Sequence, residues 1–380
     1  ILQILEERNY VRPSEICPAV ISLLKKKPQI QSILKMFKSQ SAPKKLTAII
    51  ENLSEESLFL KIISLCPIPD LEFENMLTYI RAEILRSIHT MSYTSSFVRV
   101  LTSIAVQCYM NEYIYKKLDW ENQILAEIEN EISETIADNT QTHVKKILIL
   151  GCYKPLYVYK WSAYIHQVSD LAAVVDLQVD QIEEEKKLAS HIKSLKEISN
   201  SISIDVQEQY EASPYPRWVD LKVEKTSLTI QEVVRRARLK LPNESIYNCI
   251  SPKVLIAGCG TGQQSIEAGS RLQNSKILAV DLSVASLSYA IRKTNEFGFT
   301  NIEYMQADIL DLYNLDQTFD VIECCGVLHH MDNPFKGWQV LANCLNPGGL
   351  MKVALYSKSA RDLVNDVREE IKELGINTDP

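Results

Sequence analysis

Apolar positions in roughly the first half of the chain recur at intervals of three and four residues. Stretches 57–65 and 72–85 show this spacing, and Pro67 and Pro69 interrupt it between them. The spacing is typical of amphipathic helices, which turn every 3.6 residues, whereas proline ends a helix. Because no helical-hairpin repeat keeps its period along this half, the pattern predicts a compact all-α domain over residues 1–209.

Two segments of this half need separate interpretation. Segment 145–151 reads Lys-Lys-Ile-Leu-Ile-Leu-Gly and resembles a strand that feeds a turn. It lacks a second glycine, and Pro155 follows, so a buried helix ended by proline is favoured over a second nucleotide site. Segment 180–195 is rich in charge and predicts one amphipathic helix, with its charges facing water or a neighbouring domain.

The pattern changes near residue 210. Residues 210–218 combine prolines with aromatic residues, which indicates a rigid extended linker, and this linker with a lead-in helix reaches residue 251. Apolar runs of strand length then alternate with helical stretches such as 283–297 and 334–345. Alternation of this kind predicts a doubly wound parallel sheet with right-handed crossovers over residues 252–380. The strand-like runs are 253–257, 277–281, 301–305, 319–324 and 349–356.

Composition adds bounds to this picture. The 380 residues are 46% hydrophobic and carry a net charge of −7, which disfavours bulk electrostatic binding of nucleic acid. The basic stretch 235–240 is interpreted as a solvated helix face. Nine cysteines without C-x-x-C spacing indicate reduced thiols in the cytoplasm and disfavour zinc. Since the chain starts at Ile1 and segment 373–380 brings no finishing element, we expect a fragment of a longer polypeptide.

The run from Val254 to Ser265 carries the most specific signal. Its glycines at 258, 260 and 262 give G-x-G-x-G, whereas the dinucleotide fingerprint requires G-x-G-x-x-G and the chain has Gln263 in the last position. A pyrophosphate needs several amide donors at a helix N-terminus. A nucleoside that carries an amino acid needs only a sharp turn beneath it, so the spacing favours the nucleoside.

Acidic residues follow the next two predicted strands. Ligands of doubly wound sheets lie beyond the carboxyl ends of the strands, and Asp281 stands about twenty residues after the glycine turn, where a carboxylate accepts hydrogen bonds from ribose. Its alternative role is to cap the next helix, although Ser283 offers a cap of its own. Asp308 can accept a hydrogen bond from an adenine amine, with a turn or N-cap role equally open.

The segment after the fourth predicted strand offers candidate catalytic groups. His329 and His330 have a pKa near neutrality and suit a general base, whereas packing of the pair against the sheet edge is an equal alternative. Cys324 and Cys325 invite a thiolate mechanism. Cytosine-carbon methyltransferases, which use such a thiolate, usually have a proline directly before the cysteine. No proline precedes Cys324 or Cys325, so buried strand cysteines are favoured.

Taken in order, these motifs resemble class I S-adenosylmethionine-dependent methyltransferases over residues 252–358. The chain departs from that family at Ala257, where an acid often lies near the methionine amino group. The resemblance implies a Rossmann-like sheet with strand order 3-2-1-4-5. It also implies a sixth strand and an antiparallel seventh, neither of which follows Tyr356, so strand 350–355 is expected to lack a partner on one edge.

A narrower resemblance covers residues 40–358. Segments 66–69, 111–113 and 214–218 are similar to those of bacterial proteins in which a helical region, often preceded by tetratricopeptide repeats, leads into a methyltransferase domain. We hypothesise that Tyr215 or Trp218 covers the methyl donor and that Arg217 reads a carboxylate, with a purely structural linker as the alternative.

The resemblance implies an enzyme that uses S-adenosylmethionine for in-line methyl transfer to a small-molecule or protein acceptor. The alternatives are a non-catalytic cofactor-binding protein whose helical region binds a partner, and a nicotinamide dehydrogenase. Nucleic acid, metal and membrane are not expected. Catalysis is assigned to His329 and His330. The predicted cofactor-binding residues are Tyr215, Arg217, Gly258, Cys259, Gly260, Gly262, Asp281, Leu282, Ala307 and Asp308.

Overall fold

The chain divides into two compact units in the computed structural model, which describes residues 1–7, 10–38, 46–136, 143–357 and 359–375. The helical unit is Ile1–Lys187 with Arg217–Val223, and the sheet unit is Leu188–Pro216 with Glu224–Pro380. These bounds differ from the predicted division at 209 and 251, because residues 188–209 group with the sheet. The part of the predicted C-terminal segment after residue 375 lies outside the described residues.

Secondary structure described in the helical unit is entirely helical. The bundle is supplemented by short 3₁₀ turns, such as Leu156–Val158, and by a π-helical turn at Asp176–Asp180. The last helix of this group runs two residues past the boundary of the unit. The α-helices are α1 (Leu2–Glu6), α2 (Pro13–Leu24), α3 (Pro28–Lys38), α4 (Leu46–Glu55), α5 (Ser57–Ile63), α6 (Leu71–Arg86), α7 (Ser95–Met110), α8 (Asp119–Thr135), α9 (Val144–Leu150), α10 (Ala172–Val175) and α11 (Gln181–Ala189).

Local signals and burial together explain these helices. Asp70 accepts a hydrogen bond from Phe73 N at the start of α6, and Thr94 accepts one from Phe97 N at the start of α7, which satisfies amides that a helix start leaves open. The apolar faces meet in one core. Segment 145–151 lies within this core as α9 and the residue that follows it, so the prediction of a buried helix there is confirmed.

The sheet unit alternates strands and helices, as the sequence predicts. The bounds of its second to fourth strands agree with the predicted runs to within a residue. Its elements are β1 (Lys193–Ser194), α12 (Ser201–Ala212), α13 (Ile230–Arg236), β2 (Lys253–Ala257), α14 (Gln263–Arg271), β3 (Lys276–Asp281), α15 (Val284–Glu296), β4 (Ile302–Gln306), β5 (Phe319–Cys325), α16 (Pro334–Asn343), β6 (Leu345–Ala354) and α17 (Asp362–Glu373).

Both faces of the sheet are buried, as in a doubly wound fold. Along β2, Leu255 and Ala257 join one apolar cluster, whereas Val254 and Ile256 join the other. This division follows from the two-residue period of a strand. All the pairings of the sheet are parallel, so the carboxyl ends of its strands lie along the same edge.

The sheet differs from the predicted strand order 3-2-1-4-5 by one added strand, and the five predicted strands keep that order. The described sheet has six strands in the order β1-β4-β3-β2-β5-β6, because β1 pairs in parallel with the outer side of β4. The segment 180–195 is therefore not one helix. Its helix ends at Ala189, and Lys193 and Ser194 then form the added strand. On the opposite edge, β5 is the one strand described as pairing with β6.

Candidate functional site

A cavity of about 340 Å³ lies in the sheet unit over the carboxyl ends of the strands. This volume is at the lower end of the range typical of ligand pockets. The loop after β2, the end of β3 and the turn after β4 line one part of it. The segment after β5 lines another part, and α12 with the residues after it lines a further wall. A parallel sheet places its ligand at this end of the strands.

The glycine turn after β2 lines the cavity with Gly258 and Gly260. Gly258 has φ +76°, and a Cβ there would lie 2.3 Å from Val327 Cγ2. Both Gly258 N and Cys259 N donate to Val280 O. A side chain at 258 is therefore excluded by its backbone conformation and by its neighbour, and the turn presents backbone to the cavity.

Gly262, the third glycine of the turn, packs against a neighbouring helix. It is not among the residues that line the cavity. Its φ is +87° at the N-cap of α14, and a Cβ would lie 2.7 Å from Ala290 Cβ in α15. The third glycine therefore lets two helices approach each other, and its predicted role in a ligand site stays a prediction.

Asp281 ends β3 and faces the cavity. Oδ2 accepts from Gly260 N at 2.7 Å, and Oδ1 accepts from Ser283 N at 3.1 Å. Burial raises the pKa of this carboxyl, while the backbone donors act in the opposite direction. Each oxygen already accepts one hydrogen bond and retains a lone pair, so Asp281 links the glycine turn to β3 and can still accept from a ligand.

The remaining predicted cofactor positions surround Asp281. Leu282, Ala307 and Asp308 all line the cavity, and Ala307 N donates to Asp281 O. Asp308 Oδ1 accepts from Leu310 N at 2.9 Å as the N-cap of the 3₁₀ turn Ile309–Leu315. The capping role left open by the sequence is thus present, on a side chain that also faces the cavity.

The two adjacent histidines have different environments. His330 lines the cavity, whereas His329 does not. The ring of His329 lies 4.3 Å from the His330 ring and 4.0 Å from the Tyr356 ring, and neither of its nitrogens has a hydrogen-bond partner among the described residues. Burial lowers the pKa of both imidazoles, helped by Arg361, so His330 is neutral at pH 7 and can accept a proton.

The cysteines near the cavity are thiols rather than thiolates. Cys324 is fully buried, and burial raises its pKa to about 12. Cys325 and Cys259 line the cavity, and burial raises the pKa of each. A nucleophilic cysteine needs a lowered pKa, so the preference for buried strand cysteines agrees with this geometry.

The aromatic and proline-rich segment divides between the two units. Tyr215 lines the cavity of the sheet unit. Arg217 belongs to the helical unit, where its Nη1 donates to Tyr109 Oη at 3.1 Å and its guanidinium lies 5.0 Å from the Tyr109 ring centre. Trp218 is buried in the same unit. The carboxylate-reading role of Arg217 stays a prediction.

Sequence reasoning missed one wall of the cavity. Helix α12 contributes lining side chains at a spacing of three to four residues, which is the spacing of one helix face. Tyr210 in this helix contacts the His330 ring edge to face at 6.2 Å. The apolar pattern of α12 is weak, so it offered no signal beyond its helical character. The other lining residues missed include Lys336 and Tyr356, and those of α12 are Ile202, Ser203, Val206 and Tyr210.

Two further properties concern the described residues as a whole. Among them, no helix combines the length and the apolar character needed to cross a membrane. In the same ranges, no group of three or more histidine, cysteine, aspartate and glutamate side chains is arranged to hold a metal ion.

Comparison with known proteins finds a family model described as a methyltransferase domain, which matches residues 254–349. An uncharacterized protein of Synechococcus sp. is 33% identical over 121 residues, which are 32% of this chain and 29% of that protein. The mitochondrial ubiquinone biosynthesis O-methyltransferase of Dictyostelium discoideum is 29% identical over 137 residues, covering 34% of this chain and 40% of that protein. The matches thus span well under half of each of these relatives.

Among solved structures, PKMT2 from Rickettsia typhi is 28% identical, with a TM-score of 0.31 and coverage of 36% of this chain and 26% of that chain. The phosphoethanolamine N-methyltransferase 2 of Haemonchus contortus, solved in complex with S-adenosyl-L-methionine, is 19% identical, with a TM-score of 0.27 and coverage of 37% of this chain and 34% of that chain.

Proposed function

We propose that this chain, which carries a methyltransferase domain at residues 254–349, is a class I methyltransferase that uses S-adenosylmethionine. The observation that carries the proposal is the bond from Gly260 N to Asp281 Oδ2 at the floor of the cavity. It joins the glycine turn and the acid at the end of the second strand of the domain. A nucleoside site needs these two features side by side.

The residues present fit that cofactor. Gly258 and Gly260 line the cavity and carry no side chain, so a ligand can approach their backbone closely. The free lone pairs of Asp281 suit ribose hydroxyls. Asp308 and Ala307, at the end of β4, lie on the side expected for adenine. Gln263 stands where a dinucleotide fingerprint has its last glycine, which disfavours a nicotinamide cofactor.

Methyl transfer depends mainly on the positioning of the methyl donor and the acceptor. When bound, S-adenosylmethionine supplies a methyl group that is already activated on a sulfonium. The cavity walls then hold the acceptor in line with that group, and positioning of this kind contributes up to roughly 7 to 11 kcal/mol. His330 removes the acceptor proton where the acceptor carries one. Its lowered pKa keeps the imidazole neutral and ready to accept.

We infer a small-molecule acceptor or a protein side chain. Relatives in the comparison are named for ubiquinone biosynthesis, for phosphoethanolamine and for tRNA U34. The negative net charge of this chain disfavours nucleic acid. Its nine free cysteines fit a reducing, cytoplasmic location. The helical unit remains a candidate binding region for a protein partner, and a non-catalytic role for the whole chain is less favoured.

The test is calorimetric titration with S-adenosylmethionine, S-adenosylhomocysteine and NAD, followed by label transfer from methyl-labelled donor to a cell extract. We expect both adenosyl ligands to bind and NAD not to bind. Asp281→Asn should weaken binding at least tenfold, because an amide offers one acceptor oxygen in place of two. Asp316→Asn is the matched control, since Asp316 is exposed, lies outside the cavity lining and has a left-handed backbone that asparagine tolerates. Absence of binding by both adenosyl ligands would refute the proposal.

A further inference from the structure

Helix α12 covers the cavity but is weakly anchored by apolar packing. Its residues line one wall, yet Ser203 is its one buried residue. Burial of large apolar side chains is what usually fixes a helix in place. Polar contacts must therefore supply much of what holds α12 against the sheet unit.

The strongest of those contacts is made by Glu211, near the end of α12. Its Oε1 accepts from Val284 N at 2.6 Å, and its Oε2 accepts from Ala285 N at 2.9 Å. These amides are the first two of α15, a 13-residue helix. Helix starts leave such amides without intrahelical partners. A carboxylate there gains charge-assisted hydrogen bonds and a favourable interaction with the helix dipole.

The N-terminus of α15 is shared by two acceptors with separate tasks. Ser283 Oγ accepts from Ser286 N at 3.0 Å, which caps the helix from within its own segment. Glu211 of α12 accepts hydrogen bonds from the other two amides, although it lies more than seventy residues earlier in the chain. Loss of Ser283 thus affects α15 alone, whereas loss of Glu211 also releases α12.

The chain on either side of α12 is attached to the same unit. Leu195 N donates to Gln306 O beyond β1, and Thr261 Oγ1 donates to Pro216 O. Between these points, the contact of Tyr210 with His330 and the clamp of Glu211 hold the helix. Helix α12 is therefore attached on both sides, and Glu211 holds its C-terminal end.

We propose that Glu211 is a positioning residue that clamps α12 over the cavity and thereby sets the affinity for the cofactor. The identity of the ligand rests on the proposed function. The contact between Glu211 and α15 does not depend on it. Glu211 is not among the cavity-lining residues, so it acts on the ligand through the position of the helix and through its charge, which raises the pKa of Asp281. A pocket that is closed only part of the time binds its ligand in proportion to the closed fraction.

The experiment compares Glu211→Ala with Ser283→Ala and with Glu208→Ala, a change to an exposed glutamate of the same helix. Hydrogen exchange of the 201–212 peptide is measured without ligand, and S-adenosylhomocysteine affinity is measured by calorimetry. We expect Glu211→Ala to raise both the exchange rate and the Kd about tenfold. Ser283→Ala should lower the Tm without either effect, and Glu208→Ala should change none of the three.

Each other outcome has a defined meaning. Unchanged exchange in Glu211→Ala, or equal exchange in Ser283→Ala, overturns the clamp. Faster exchange with unchanged Kd overturns its link to the cofactor. If Glu211→Ala does not fold, Glu211→Gln keeps one acceptor oxygen and should give smaller changes in the same direction. If the wild-type chain binds no S-adenosylhomocysteine, the proposed function fails, while the exchange measurement still decides the clamp.

Discussion

The helical unit and the sheet unit each contain an apolar run that ends in Gly-Cys, at 147–152 and at 254–259. The first forms part of helix α9, and Gly151 at its C-cap has φ −60°. The second is strand β2, and Gly258 after it has φ +76°. Similar local composition therefore permits either structure, and the surroundings decide between them.

The difference lies in the partners that each run finds. Strand β2 pairs in parallel with β3 on one side and β5 on the other, which satisfies its backbone groups through distant segments. Helix α9 satisfies its own backbone and packs its side chains into the helical core. Gly260 and Gly262, both with positive φ, continue the second turn, whereas the first run continues into Tyr153. The additional glycines distinguish the turn after β2, which lines the cavity, from a helix end.

The largest test of this comparison replaces each glycine with alanine. Gly258→Ala should lower the free energy of unfolding by about 3 kcal/mol, because it combines an unfavourable backbone conformation with overpacking against Val327. Gly151→Ala should change it by less than about 1 kcal/mol, since its φ is helical and the nearest atom, Gln178 Oε1, lies 3.3 Å from the added carbon. Urea denaturation of both variants measures the two values.

A double variant separates the two causes at position 258. Val327→Ala in the Gly258→Ala background removes the two methyl groups nearest the added carbon and should recover part of the lost stability. The backbone cost should persist. Equal destabilisation by Gly151→Ala and Gly258→Ala would contradict the distinction between the two turns.

How much of the structure can be predicted from the sequence depends on how far apart in the chain the interacting residues lie. The run 253–257 and the helix around 145–151 were predicted correctly, because apolar period and glycine spacing are local properties. Strand β1 was missed because two exposed residues carry no period, and its pairing with Met305 and Gln306 is made by the backbone. Two of the acids that line the cavity, Asp281 and Asp308, were predicted from their places at strand ends.

Two contacts that the sequence does not predict join residues far apart in the chain. Arg217 meets Tyr109, which is 108 positions away, and Glu211 meets α15, more than seventy positions away. Neither contact produces a periodic pattern of residues in the sequence. Gly262 packs against Ala290, and its predicted role as a ligand contact stays a prediction. Tertiary packing alone determines such assignments.

A second prediction uses one histidine from each unit. Burial lowers the pKa of His330 in the sheet unit and of His143 in the helical unit below the ordinary value of 6.5. If His330 is the base, the rate of label transfer falls as pH decreases through a pKa below 6.5. His330→Gln should remove that acid limb and lower the rate on the order of a hundredfold, as measured by initial rates between pH 5 and 8.

His143→Gln is the control, and it should affect stability rather than rate. His143 shares a hydrogen bond with Thr135 Oγ1 at 2.9 Å. Because its folded-state pKa is lowered, the unfolded state binds more protons, and the folded protein loses stability as pH decreases from about 6.5 through that pKa. The glutamine variant should lose this slope and keep the acid limb of the rate. An acid limb that survives His330→Gln would assign the proton transfer to another group.

The smallest expected effect concerns the cysteines that end the two runs. Burial raises the pKa of Cys152 and of Cys259 well above the ordinary value, so both should resist iodoacetamide in the native state in spite of their different secondary structure. The half-buried Cys249 and Cys325 should react first. Cys325 lines the cavity and Cys249 does not, so S-adenosylhomocysteine should slow labelling of Cys325 alone. Mass spectrometry of timed samples measures all four sites. Faster labelling of Cys259 than of Cys152 would show that access through the cavity, and not burial, determines the reactivity of Cys259.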